Sequence, residues 1–114
     1  MDRREVIKEY KRTLQPMGIV QVKNIKNGRV YIIASANTAG SINSIRFQLK
    51  MGVFLPSPAL AADWKELGER CFLIEVIDDL KPVDDPDHDY REDLKTLEAI
   101  WLDKLKPYGE RGYH

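Results

Sequence analysis

Residues 18–33, GIVQVKNIKNGRVYII, place the pair Asn27-Gly28 between two apolar runs. Both residues of this pair tolerate the positive φ angles of a tight turn, so the pattern predicts a β-hairpin. We expect the first strand at about residues 18–23 and the second at about residues 29–35. Both faces of the second strand are apolar, which favours a central strand in a sheet that has helices on both sides.

The rest of the chain alternates helical and strand patterns joined by short turns. Apolar side chains at spacings of three and four predict a helix from about residue 37 to 51, and Ser57 begins a second helix that ends at Gly68. The apolar run at 71–78 predicts a third strand, and residues 90–106 predict a long final helix. Together these elements predict an α+β fold in which a small three-stranded, mainly antiparallel sheet is flanked by helices.

The length and charge of the chain limit the kinds of protein it can be. With 114 residues, 43% of them hydrophobic and 32% charged, we expect one domain, residues 1–114, whose first 15 residues form a basic helical arm. No disulfide can form within a chain that has the single cysteine Cys71, and no apolar stretch approaches the length of a membrane span, so we expect a cytoplasmic protein with no membrane partner. Residues 1–50 carry ten Lys/Arg against three Asp/Glu, whereas residues 51–114 carry eight against fifteen. A polyanionic partner is therefore compatible with the first half only.

One carboxylate of the final helix lies in its apolar stripe. At about 100° per residue, Glu98 falls about 40° from Leu94, on the side that also carries Trp101. A buried carboxylate without a partner costs on the order of several kcal/mol or takes up a proton. Two interpretations stay open: Glu98 lies at the rim and pairs with a Lys or Arg, or it faces a cleft between helix and sheet and holds a hard cation such as Mg²⁺.

Several motifs, taken in their order and spacing, resemble the GIY-YIG nuclease superfamily. GIV at 18–20 and YII at 31–33 stand where that family has GIY and YIG, with ten residues between them. NGRVY resembles the family's turn and second strand, and DWKELGERCFLIEVID resembles the segment that leads into its third strand. LEAIWLDKL resembles the late helix that carries the family's metal-binding Glu, and PYGERGYH resembles the tail of small stand-alone bacterial members.

The resemblance implies a phosphodiester hydrolase of nucleic acid that works with one divalent metal ion, Mg²⁺ or Mn²⁺, and has DNA as its partner. It implies that Tyr31 takes part in proton transfer and that Glu98 holds the metal. Such a site deprotonates water and meets the growing negative charge of the phosphate with fixed positive charge. Arg46 is the arginine nearest to the position of the family's phosphate-binding arginine, and with Tyr31 and Glu98 it makes up the candidate catalytic set.

The chain departs from the family pattern at four of its functional positions. Val20 replaces the first tyrosine, and Ile33 replaces the glycine that leaves room for substrate. Ser41 occupies the position of the arginine, and Arg46, five residues on, points about 140° away from Ser41 on a helix. His114 replaces a terminal asparagine. We therefore expect a degenerate nuclease site that is impaired or inactive.

Three functions follow as hypotheses. The first is a nucleic-acid-binding module, and the second is a slow divalent-metal-dependent DNA endonuclease with Tyr31, Glu98 and Arg46 as its residual site. The third is a protein-interaction domain derived from the nuclease, which predicts an exposed apolar surface near Val20 and Ile33. The binding module would contact phosphates through Lys23, Lys26, Arg29 and Arg46, together with Arg3, Arg4, Lys8, Lys11 and Arg12 of the arm.

The surviving residues also have simpler interpretations. Tyr31 is equally compatible with a strand residue whose ring lies in the core, and Arg46 with a solvated helix residue. The acidic loop at residues 84–89 lacks the spacing of an EF-hand, and two histidines with one cysteine are too few for a zinc site or a Cys-His pair. The chain has no Gly-rich phosphate loop, so we expect no small-molecule cofactor. The substrate type and the oligomeric state are left open.

Overall fold

The computed structural model describes residues 15–114, in which three strands form one antiparallel sheet. The strands are β1 (Met17–Asn24), β2 (Val30–Ser35) and β3 (Phe72–Leu80). β1 lies at the centre and pairs with both neighbours. The predicted basic arm falls almost wholly on residues 1–14, outside the described residues.

Three helices and two short 3₁₀ turns complete the described part of the chain. The helices are α1 (Thr38–Lys50), α2 (Pro58–Leu67) and α3 (Arg91–Leu105), and the turns are Glu69–Cys71 and Gly109–Arg111. α2 begins where the sequence predicts, because Ser57 Oγ accepts a hydrogen bond from the Leu60 N–H at 3.3 Å. It ends at Gly68, whose φ of 88° lies in the left-handed region that favours glycine. The predicted α+β class is confirmed.

Helices cover both faces of the sheet. Val20, Val22 and Tyr31 pack in one cluster with buried residues of α1 and α2, among them Leu49 and Leu60. Side chains alternate along a strand, so the residues between them, including the fully buried Ile19, face the opposite side. There α3 contacts β1 and β2. The sheet therefore lies between two helical layers, as the apolar faces of the strands predict.

The prediction that the second strand is central is wrong, because β2 is an edge strand of the sheet. Its outer edge is covered by the C-terminal tail, residues 107–114, and by one side chain of α3. The Tyr113 N–H donates to the Val30 carbonyl at 3.0 Å, and the Ile32 N–H donates to His114 Nε2 at 3.0 Å. The Ala34 N–H donates to Glu98 Oε2, also at 3.0 Å. These bonds occupy polar groups that would otherwise be open to pairing with a strand of another chain.

Gly18 is required where β3 approaches β1. A Cβ atom built at this position would lie 1.9 Å from the Asp78 carbonyl oxygen, which no side chain can tolerate. The register between β1 and β3 shifts between Ile19 and Val20, directly after this close approach. The first residue of the GIV motif thus has a packing role in the sheet.

The third strand lies slightly later in the chain than predicted. Cys71 belongs to the 3₁₀ turn before β3, and its half-buried thiol donates to the Leu67 carbonyl at 3.4 Å. The strand continues through Asp79 to Leu80 because these residues pair with the start of β1. Asp79, which follows the predicted strand directly, is therefore a strand residue. Within residues 15–114, no helix is long and apolar enough to cross a membrane.

Candidate nuclease-like site

Tyr31 and Glu98, predicted as partners in one site, lie close together at the outer edge of β2. The Tyr31 ring is 7% exposed, stacks on the His114 ring at a centroid distance of 4.6 Å, and meets Phe54 edge-on at 5.4 Å. Burial raises the pKa of Tyr31 above its ordinary value, and the negative charge of Glu98 raises it further. The phenol therefore keeps its proton at neutral pH.

Glu98 reaches from α3 to the edge of the sheet. Its Oε2 atom accepts the Ala34 N–H, so a main-chain donor satisfies the half-buried carboxylate. The ion pairs among residues 15–114 do not include Glu98, so the predicted rim pairing with a Lys or Arg is not found there. Its place in the apolar stripe of α3 is explained by this contact with β2.

His114 lies in the same cluster, which the sequence did not predict. Its Nε2 atom accepts the Ile32 N–H, so the ring is neutral there and carries its proton on Nδ1. Partial burial lowers the pKa of His114, against the smaller opposing effect of the Glu98 charge. The only sequence signal was its position after the aromatic Tyr113 in a tail that resembles a family motif.

The protonation of His114 gives a pH-dependent stability. Because the folded pKa of His114 is depressed, the folded state favours the neutral ring, and its contribution to stability is present above the unfolded pKa of about 6.5. This stabilisation is lost as the pH falls through the pKa of His114 in the folded state. We expect the urea midpoint of the native chain to fall between pH 7.5 and pH 5 more than that of His114→Gln, whose amide oxygen accepts the Ile32 N–H at both pH values. Parallel curves for the two proteins would contradict this assignment.

The positions that depart from the family pattern are occupied by packed side chains. Val20 is fully buried in the core cluster, and Ile33 packs against that cluster. These two side chains therefore do not themselves contribute the exposed apolar surface that a protein-interaction domain predicts near them. Ser41 Oγ lies 2.5 Å from Ser35 Oγ, so this hydroxyl is bonded to the end of β2.

Arg46 is not joined to the cluster around Tyr31. It lies on α1 five residues after Ser41, so its side chain projects about 140° from the direction in which Ser41 meets β2. No hydrogen bond or ion pair within residues 15–114 links Arg46 to Tyr31 or Glu98. The structure thus brings together Tyr31 and Glu98 of the candidate set, with Arg46 elsewhere on α1.

Arg29 is bound within the fold. Its guanidinium lies 3.7 Å from Asp63, donates to the Gly109 carbonyl at 3.0 Å, and lies over the Tyr113 ring. The Tyr113 hydroxyl donates to Asp63 at 2.7 Å and accepts from Asn24 at 3.0 Å. Burial is the main reason that the pKa of Tyr113 is raised to about 12. Arg29 therefore fastens the C-terminal tail to the hairpin and α2.

The other predicted nucleic-acid-binding lysines are free of such contacts within the described chain. Lys23 at the end of β1 and Lys26 in the turn are both exposed.

The acidic loop before α3 is held by contacts of its own, including an ion pair between Asp89 and Arg91 at 2.7 Å. This pair is the main reason that the pKa of Asp89 is lowered to about 2.

The cluster offers one carboxylate to a divalent cation. Within residues 15–114, no group of three His, Cys, Asp or Glu side chains is placed to hold a metal ion. Glu98 keeps one oxygen beyond its bond to Ala34, whereas the His114 nitrogen that faces the sheet is already an acceptor. This set suits a Mg²⁺ ion that keeps most of its waters and takes further oxygen ligands from a phosphate, and it does not suit a closed protein cage.

Comparisons with known proteins identify the fold. The sequence matches no protein-family model and no curated protein. Among solved structures, the catalytic domain of the homing endonuclease I-TevI superposes with a TM-score of 0.69 and 20% identity, covering 85% of this chain and 95% of that one. A mutant of the catalytic domain of the intron endonuclease I-TevI superposes with a TM-score of 0.68 and 22% identity, covering 88% of this chain and 93% of that one. The chain has the fold of these catalytic domains, which confirms the predicted GIY-YIG resemblance at the level of the fold.

Proposed function

We propose that this chain is a nuclease-like domain that binds nucleic acid and whose own nuclease site is degenerate. The observation that carries the proposal is the packing of the side chains at two positions where the resemblance implies reactive groups. Val20 is sealed in the core, and Ser41 is hydrogen-bonded to Ser35. A site that lacks its first tyrosine and its arginine has lost one proton-transferring group and the positive charge that would meet the phosphate.

The remaining phenol supports the same proposal. Tyr31 is buried beside a carboxylate, and both features raise its pKa. A tyrosine that accepts a proton from water must first lose its own, and at neutral pH that loss is made harder by each of these features. The fixed positive charge that would favour the ionised phenol is absent from the contacts of Tyr31 within the described residues.

The exposed cations supply the binding part of the proposal. Lys23 and Lys26 are exposed around the hairpin turn and form no ion pair within residues 15–114. Half-buried Arg46 adds charge on α1, and half-buried Arg29 adds charge beside the turn while it holds the tail. The basic side chains of residues 1–14 would extend this set. Contacts of this kind bind the phosphate backbone with little readout of base sequence.

Fluorescence anisotropy with labelled single-stranded, duplex and branched DNA tests the proposal. We expect the logarithm of the binding constant to fall linearly with the logarithm of the salt concentration, because each phosphate contact releases counterions. Replacing Lys23 and Lys26 together by Ala should make the slope shallower by roughly 1.4 to 1.8. Lys95→Ala, an exposed lysine near the acidic end of α3, is the matched control and should leave the slope unchanged. No affinity for any of the three DNA forms at low salt would contradict the proposal.

A slow endonuclease is the second candidate, and the proximity of Tyr31 and Glu98 favours it. In this alternative Glu98 would hold Mg²⁺ or Mn²⁺ through its free oxygen, and the ion would supply positive charge to the phosphate and acidify a bound water. Incubation of supercoiled plasmid with either metal separates the candidates. Glu98→Gln is the informative variant because its amide oxygen still accepts the Ala34 N–H while the carboxylate is lost. Cutting by the native chain that Glu98→Gln abolishes would favour the enzyme.

A further inference from the structure

Tyr108 is a large aromatic residue that the C-terminal tail holds in solvent. It is 53% exposed, although Tyr113 in the same tail is 6% exposed and the adjacent Pro107 is fully buried. Its ring contact is an edge-on approach to His114 at 6.4 Å. The Tyr108 side chain is therefore accessible to a ligand although the segment that carries it is well packed.

The backbone around Tyr108 is tied in a closed loop. The Arg111 N–H donates to the Tyr108 carbonyl, and the His114 N–H donates to the Pro107 carbonyl, each at 3.1 Å. A Cβ atom at Gly112 would lie 2.2 Å from that same Pro107 carbonyl oxygen, so the two ends of the loop are in direct contact. Arg29 fixes the middle of the loop through Gly109. The position of Tyr108 is therefore set before any ligand arrives.

Cations flank Tyr108 along the chain. Lys106 and Arg111 are exposed on either side of Tyr108 in the sequence. The hairpin turn with Lys26 lies at the same end of the molecule, because Asn24, two residues before Lys26, bonds to Tyr113. Glu110 is the acidic residue within the loop, and Asp103 is exposed on the last turn of α3.

Four acidic residues lie close together in the loop at residues 84–89, at the opposite end of α3. The loop at 84–89 immediately precedes α3, whereas the C-terminal tail follows it. A helix of 15 residues separates the two by about 22 Å at 1.5 Å per residue. A polyanion is therefore repelled less at the end that carries Tyr108 than at the loop at residues 84–89.

We propose that Tyr108, with Lys106, Arg111 and Lys26 around it, forms a binding surface for single-stranded nucleic acid. An unpaired base would stack on the tyrosine ring, and the flanking phosphates would contact the cations. Aromatic rings beside basic side chains bind single strands in this way because every base has a π-face. In a duplex those faces are already covered by neighbouring bases. The inference rests on the proposed nucleic-acid binding and assigns its surface and its substrate class.

The test is a set of anisotropy titrations with a fluorescein-labelled oligo(dT) strand of about 12 nucleotides and with a duplex of the same length. Tyr108→Ala should weaken binding of the single strand roughly 5- to 150-fold, which corresponds to about 1–3 kcal/mol for one stacked base. Tyr108→Phe should bind like the native chain, since the ring is kept. Lys106→Ala and Arg111→Ala should each make the salt slope for the single strand shallower by about 0.7.

Phe47→Ala is the matched control, because Phe47 is an aromatic residue that is 65% exposed and lies on α1, outside the tail. It should leave single-strand affinity unchanged. If Tyr108→Ala, like Phe47→Ala, binds the single strand as tightly as the native chain does, this inference is wrong. The proposed function would still stand. An equal loss for duplex and single strand would show backbone contact and would also overturn it. Absence of any binding by the native chain would reject both proposals.

Discussion

Gly18→Ala is expected to destabilise the protein by about 3 kcal/mol or more. The added methyl group would meet the Asp78 carbonyl oxygen at 1.9 Å, and this oxygen belongs to the backbone of a paired strand. Relief requires β1 and β3 to move apart at the centre of the sheet, which is more costly than the rearrangement of a side chain. Urea denaturation followed by circular dichroism measures the loss.

Gly28→Ala in the same hairpin is the control for the Gly18 variant. A Cβ atom at Gly28 meets nothing within 4 Å, but the residue has a φ of 80°. Its replacement should therefore cost only the strain of a left-handed backbone, about 1–2 kcal/mol. If Gly18→Ala costs no more than Gly28→Ala, the close approach of β3 to β1 is not as described.

Asn24→Ala is expected to cost about 2–4 kcal/mol. Asn24 is fully buried; it donates to the Tyr113 hydroxyl at 3.0 Å and accepts the Lys26 N–H at 2.9 Å. Truncation removes the acceptor of a main-chain donor of the turn and a buried hydrogen bond to the Tyr113 hydroxyl, which keeps only its bond to Asp63. Each such loss costs about 1–3 kcal/mol. The variant also weakens the link that holds the tail against the hairpin.

Two measurements separate this network from a general effect of mutation in the turn. Lys26→Ala changes an exposed side chain of the same turn and keeps the main-chain N–H that Asn24 accepts, and it should cost less than about 1 kcal/mol. Asn24→Ala combined with Tyr113→Phe should cost less than the sum of the two single changes, because the residues share one bond. Additive losses would mean that Asn24 and Tyr113 are not coupled.

The elements that the sequence predicts well are those with local signals. Asn27-Gly28 determines the turn of the hairpin, Ser57 begins α2 and Gly68 ends it, and each effect operates within a few residues. The resemblance to a known family then supplies the order of the strands and helices as one fold. For this reason the α+β class and most boundaries are recovered to within about two residues.

What the sequence does not predict depends on residues far apart in the chain. The two apolar faces of β2 are covered by α1, α2 and α3, but they do not show that β2 is an edge strand. Its outer edge is closed by His114 and Glu98, more than sixty residues later in the chain. The bond between Glu98 and Ala34 uses a main-chain donor, which leaves no trace in side-chain patterns. Arg29 appears in the sequence as a surface cation, and only the fold shows that Asp63 and Gly109 surround its guanidinium.

The central position of β1 has a consequence for how the chain folds. Val20 pairs with Ile33 in β2 and with Val76 in β3, so one neighbour is reached through a short turn and the other only after α1 and α2 have been traversed. Hairpins close in about 1–10 μs, whereas pairings between distant segments carry a larger loop-closure entropy and form later. We therefore expect the docking of β3 onto the hairpin, and not closure of the hairpin, to limit the folding rate.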